Sequence, residues 1–216
     1  MKKPFIILLY VVVFGLISEF IFRELNAIKI EKAAKKGGIP QAIKNYKKIV
    51  DSLSEVFELP PDYLLAVIML ESSGKKKVAV RYEASIYKKL KLLQNGKIDK
   101  FENLRKSDLK GVKDKTLKAL ASSYGPFQIM GYKKYILKIP LDSLKGKNNV
   151  YYAVKWIDLS YGEMLRNEEF KDAFHFHNTG KRYPVIGEPQ THDPEYVENG
   201  LSYQKYFKTI IYKKDR

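Results

Sequence analysis

Leu59-Pro60-Pro61-Asp62-Tyr63-Leu64-Leu65-Ala66-Val67-Ile68-Met69-Leu70-Glu71-Ser72-Ser73 is the stretch that decides how this chain folds. Its two prolines suit a helix start, because a first-turn proline gives up an N–H that has no intrahelical partner anyway. From Tyr63 to Leu70 every residue is apolar, so the pattern predicts a helix buried nearly all round. One carboxylate, Glu71, stands at its end. Acids are rarely left in a core without a partner or a purpose. Desolvation raises a carboxyl pKa, and a raised pKa is what lets an acid donate a proton near neutral pH. Read alone, the segment leaves two outcomes open: a buried general acid, or a helix-end glutamate facing water.

Outward from this helix the chain reads as mainly α. Apolar residues at Ile43, Tyr46, Ile49, Val50, Leu53 and Val56-Phe57 recur at helical spacing from Gln41. Further helices are predicted over 84–94, 114–122, 148–167, 168–176 and 194–214. Period-2 alternation over a strand length is scarce, and where it occurs, at 173–177, helical spacing fits too. Within 148–167 the single tryptophan, Trp156, lies on a broad apolar stripe. An aromatic so placed is either core or a platform for a flat ligand.

The N-terminus has a different character. Lys2-Lys3 precede an apolar run from Pro4 to Ile17, continued by Phe20-Ile21-Phe22, the shape of a signal sequence or a marginal membrane helix. No small-residue cleavage site follows, and the chain has no cysteine for a lipid anchor. Residues 1–22 are therefore read as an uncleaved signal anchor, with a cleaved peptide or a buried helix as alternatives. An anchor would leave Lys2 and Lys3 inside and export the rest. Residues 23–40 read as a tether, because Gly37-Gly38 and Pro40 mark a break. Residues 41–216 form one domain, long enough to bury a sizeable core.

Forty basic and 24 acidic residues give a formal net charge of +16, which favours polyanions or simply keeps a lysine-rich surface solvated. No recognition helix, zinc-ligand spacing or aromatic RNA-binding motif accompanies the charge, so nucleic acid is not an expected partner. His175, His177 and His192 lack the helical spacing and the cysteine partners of a zinc site, and no metal or other cofactor is expected. Neither a phosphate-cradling glycine loop nor a Gly-x-Ser-x-Gly turn occurs.

Two later segments bear on Glu71. Ser123-Tyr124-Gly125-Pro126-Phe127-Gln128-Ile129-Met130-Gly131 sets a glutamine and an aromatic between glycines, and His177-Asn178-Thr179-Gly180 follows an aromatic stretch. With Pro60–Ser72 and with Tyr196-Val197 and Tyr203, these motifs occur in the order found in the lysozyme-like superfamily. Across residues 57–207 the chain resembles the soluble lytic transglycosylase domains. The resemblance implies a single lysozyme-like domain of the goose-type lysozyme and lytic transglycosylase kind behind an N-terminal membrane segment. It implies cleavage of the MurNAc–GlcNAc β-1,4 bond of peptidoglycan, with Glu71 first as general acid and then as base. The N-acetyl group assists, the 6-hydroxyl of the same muramyl residue attacks, and a 1,6-anhydro ring closes. Ser72, Tyr124, Gly125, Phe127, Gln128, His177, Asn178 and Tyr196 are then the implied substrate-binding residues. The glycan strands are the implied partner, at the cell envelope, with residues 4–22 in the cytoplasmic membrane.

The chain departs from that pattern in three places. His177 stands where the family has tyrosine, the middle valine of the last motif is absent, and the stretch between Glu71 and Gly125 is long. That stretch holds Val80-Arg81-Tyr82-Glu83, which is similar to phage-type N-acetylmuramidases. Hydrolytic glycosidases use two carboxylates, and Glu83 is the best candidate for a second acid unless an ion pair with Arg81 occupies it. A non-catalytic basic glycan- or nucleic-acid-binding protein is the alternative of another class.

Overall fold

The computed structural model describes residues 38–212, together with residues 17, 18 and 21. Apart from those three, residues 1–37 lie outside it, and with them most of the expected anchor and tether. Among the described residues no helix is long and apolar enough to cross a membrane.

The protein is mainly helical. The elements in chain order are α1 (Gly38–Phe57), α2 (Pro61–Ser72), β1 (Arg81–Tyr82), α3 (Ala84–Gln94), β2 (Lys100–Phe101) and β3 (Leu104–Arg105). They are followed by α4 (Asp114–Leu120), β4 (Ser122–Tyr124), β5 (Ile129–Met130), α5 (Lys134–Leu137), α6 (Asn149–Arg166), α7 (Phe170–Thr179) and α8 (Tyr196–Tyr212). Short 3-10 turns span Lys106–Leu109, Gly131–Lys133 and Leu141–Leu144. The first helix begins at Gly38, three residues before the boundary expected at Gln41. Pro40 falls in its first turn, where proline is tolerated, and Ile39 is buried with Ala42, Tyr46, Val50 and Leu53 on one face.

α2 is the central element, packed chiefly against α8 and α1. Tyr63, Leu64, Leu65, Ala66, Val67 and Ile68 are wholly buried, each large side chain contributing about 1.5–3 kcal/mol of transfer free energy. Pro60 caps the helix start with Pro61 in its first position. At the other end Ser73 is left-handed and its N–H donates to the Met69 carbonyl at 3.0 Å. Gly74 must be glycine, because a Cβ there would stand 2.6 Å from the Ala42 backbone nitrogen and its φ is +70°. This sharp stop leaves Glu71 in the last turn, where the helix leaves the core.

A second, smaller hydrophobic cluster gathers Leu90, Leu93, Leu104, Leu109, Leu117, Leu120, Ala121 and Tyr132. It lies in the long stretch between Glu71 and Gly125, with Tyr132 added from beyond it, and Leu141 packs against both clusters. An antiparallel sheet in the order β1-β4-β5 joins the two regions, with Arg81 opposite Ser123 and Ser123 opposite Met130. A separate hairpin pairs β2 with β3. The helix expected over 114–122 stops at Leu120 because Ser122–Tyr124 joins this sheet. Strands of two or three residues are too short to print an alternating pattern.

Candidate active site

Glu71 is 12% exposed at its side chain and is faced by groups from three other elements. From the first residue of α8, the Tyr196 hydroxyl donates to Glu71 Oε1 at 2.5 Å. Among the described residues, Oε2 has no hydrogen-bond partner. Burial pushes the carboxyl pKa up, and the Tyr196 hydrogen bond and the Arg81 charge pull it down by less. The net direction is upward, towards a carboxyl that keeps its proton. Burial beside Glu71 also holds the Tyr196 phenol well above its ordinary range, so it remains a donor.

From α7, His177 brings Nε2 to 3.9 Å from Glu71 Oε1. Burial lowers the imidazole pKa to about 4, so the contact is no ion pair at neutral pH. The hydrogen bonds assign the tautomer. Nε2 lies 3.2 Å from the Phe127 carbonyl, which can only accept, so Nε2 carries the proton. Nδ1 then accepts from the Tyr161 hydroxyl at 2.6 Å, and that oxygen accepts in turn from Tyr63 at 3.3 Å. A buried relay thus runs from α2 through α6 and α7 to the β4–β5 turn. Regular helix in α6 is interrupted at Tyr161 (φ −153°, ψ 21°), beside Gly162, a residue type found at kinks. The relay's hydroxyl therefore sits at the irregular point of its helix.

Arg81 on β1 is held through its Nε to Glu83 Oε1 at 2.6 Å. Glu83 precedes α3 as its N-cap residue, and its N–H donates to the Ala121 carbonyl. The ion pair expected as the plain alternative for Glu83 is therefore present. The Arg81 charge also pulls the Glu71 pKa down.

The remaining residues expected at the site divide into two groups. Ser72 is buried and its hydroxyl donates to its own helix, at the Ile68 carbonyl. Tyr124 is buried with its hydroxyl on the Ala119 carbonyl, and the Phe127 ring is core. These three therefore stand in the scaffold, and Phe127 serves the site through its carbonyl. Gln128 braces the turn: Oε1 accepts from Ser123 at 2.6 Å and Nε2 donates to the Gly125 carbonyl at 3.0 Å. Its amide, expected on a ligand, makes these hydrogen bonds within the turn. Gly125 has a φ of +72° and lies against Asn149. Asn178 is exposed, with Oδ1 accepting from the His192 N–H at 3.4 Å. Tyr196, expected among the substrate-binding residues, is the hydrogen-bond partner of the acid.

Sequence reasoning missed Tyr63 and Tyr161 as site residues, and read Arg81 only as a partner for Glu83. Trp156 is 4% exposed and stacks edge-on against His177 and Tyr161, so of its two readings core is the one the structure takes. His175, two residues from His177, is tied to the Lys181 carbonyl and the Gln190 N–H. Among the described residues no group of three or more His, Asp or Glu side chains is placed to hold a metal. No family model, curated protein or solved structure matches this chain.

Proposed function

We propose that this protein is a lysozyme-like enzyme that cleaves the MurNAc–GlcNAc β-1,4 bond of peptidoglycan without water, as a lytic transglycosylase. The observation that carries the reading is the state of Glu71. It is a nearly buried carboxyl at the end of an apolar helix, with its pKa pushed up and one oxygen held by Tyr196, the other having no partner among the described residues. Such a group is suited to protonating the glycosidic oxygen as the sugar leaves. The substrate N-acetyl oxygen then stabilises the anomeric carbon. The muramyl 6-hydroxyl attacks that carbon and returns its proton to Glu71, so no second acid and no water are consumed. The ion pair between Glu83 and Arg81 supports this over hydrolysis, since Glu83 is committed to a cation. By the same reading the domain acts at the cell envelope, held there by residues 4–22 as a membrane anchor.

A second reading keeps the substrate and changes the outcome. Arg81 pairs with Glu83 and its charge also bears on Glu71, and a hydrolytic N-acetylmuramidase would use Glu83 as its second acid. Mass analysis of products from purified sacculi distinguishes the two. Transglycosylation releases muropeptides lighter by one water than hydrolysis does. Glu71→Gln keeps size and the Tyr196 acceptor but has no proton to give, so turnover should fall at least ~100-fold. Intact sacculi after incubation with the wild-type protein would overturn both readings.

A further inference from the structure

Besides Arg81, a buried lysine links the region of residues 81–121 to the site. Lys133, just after the β4–β5 turn, has a side chain only 11% exposed, and lysine is almost never so buried unless paired. Its ammonium pairs with Glu102, which sits at the turn of the β2–β3 hairpin with a φ of +50°. The same carboxylate accepts from the Tyr132 hydroxyl. Lys133 Nζ also lies 4.9 Å from the ring centroids of both Tyr132 and Trp156, within cation–π range. The Trp156 ring meets His177 edge-on at 5.7 Å and 72°. From there His177 stands 3.9 Å from Glu71. One line of contacts therefore runs from Glu102 in the smaller cluster's hairpin to the acid in the main core.

Stability alone does not account for this arrangement. Desolvating two charges costs about as much as their attraction returns, and apolar residues of the same volume often do as well or better. What an ion pair adds is a defined registry between the parts it joins. We infer that Lys133 is a positioning residue for Glu71: clamped by Glu102, it fixes the Trp156 ring, which holds the His177 ring beside the acid. The kinetic half of this inference rests on the proposed function, while the geometric half does not. Groups from every side bear on His177: Glu71 from α2, Tyr161 and Trp156 from α6, the Phe127 carbonyl from the β4–β5 turn, and Lys133. Only the last is removed by the test.

The experiment compares the full-length protein with its Lys133→Met, Lys133→Arg and Glu102→Gln variants. It measures kcat and KM on sacculi, and the His177 ring titration by NMR without any substrate. In Lys133→Met, kcat should fall roughly 10- to 100-fold, the scale of a misplaced catalytic group, with KM little changed. Its His177 titration should move up from about 4, since a facing cation is lost. Lys133→Arg should restore both readouts. Glu102→Gln, which keeps the lysine and its packing, should lower kcat in the same direction by less, and carries the kinetic test if Lys133→Met does not fold. Wild-type kcat in Lys133→Met or in Glu102→Gln would overturn the inference. Were the wild-type protein inactive on sacculi, the titration would decide alone. A shift in Lys133→Met that Lys133→Arg reverses would support the coupling, and an unmoved titration would overturn it.

Discussion

The core around α2 and the smaller cluster of residues 81–121 are built in different ways. In the core one helix is apolar on all sides and is surrounded by α1, α6, α7 and α8, with six consecutive residues wholly buried. In the smaller cluster the buried leucines come one or two at a time from α3, β3, the Lys106–Leu109 turn and α4, with charged residues on the outer side. The acid comes from the first region. The charge that acts on it, Arg81 paired with Glu83, comes from the second. A carboxyl on the end of a rigid helix is held in a fixed place. The Arg81 charge, on a short strand, pulls its pKa down against burial.

Paired cavity mutations put that contrast under the greatest strain. Leu64→Ala in α2 and Leu104→Ala in β3 each remove a wholly buried side chain, at a cost of about 2–5 kcal/mol. The expectation is that Leu64→Ala lowers protection from hydrogen exchange throughout, whereas Leu104→Ala lowers it mainly across 81–121. Equal loss everywhere in both variants would mean that the two clusters unfold as one.

A second test concerns His177. Burial lowers its pKa from 6.5 to about 4. Between those values the unfolded chain takes up a proton that the folded one does not, so stability present above pH 6.5 is lost as pH falls towards 4. The loss amounts to about 3 kcal/mol. His177→Gln, which does not titrate, should flatten that acid limb in urea unfolding curves measured across the window.

Glu71 should show the opposite sign. Its folded pKa is raised, so its contribution is complete below the unfolded value of roughly 4.3 and is lost as pH rises through the folded one. Glu71→Gln should therefore melt higher than wild type at neutral pH, with the gain closing towards acid. A constant difference in Tm at all pH values would mean that Glu71 is not desolvated.

The smallest expected effect is at Glu83. Its partner Arg81 is largely exposed, and such pairs are worth about 0–1 kcal/mol. Glu83→Gln should accordingly keep turnover within about 5-fold of wild type. Loss as deep as that of Glu71→Gln, together with reducing muramyl ends on the products, would assign the enzyme to the hydrolytic class.

The two regions also differ in how far they could be read from the chain. The bounds of α3 agree with the spacing of its apolar residues, and α2 and α6 begin and end within one residue of theirs. Long helices carry their period in every turn, so local sequence suffices. The strands did not announce themselves, since each exists only because a partner elsewhere in the chain completes it. Arg81 finds Ser123, and Lys100 finds Arg105. Gln128 shows a subtler limit. Its amide chemistry was legible, but not its bonds to Ser123 and Gly125.

What the sequence by itself determined is the buried helix and the acid at its end. Eight consecutive apolar residues, Tyr63 to Leu70, leave no polar face to turn outwards, and a proline start and a glycine stop bound the segment. What only the tertiary structure decided is the state of that acid. Tyr196, 125 positions away, supplies the one hydrogen bond found on the acid among the described residues. His177 reaches it through a relay that begins on the acid's own helix at Tyr63 and passes through Tyr161 on α6. The pKa of a carboxyl depends on what surrounds it within a few ångströms, and neighbours at that range are set by packing rather than by chain order.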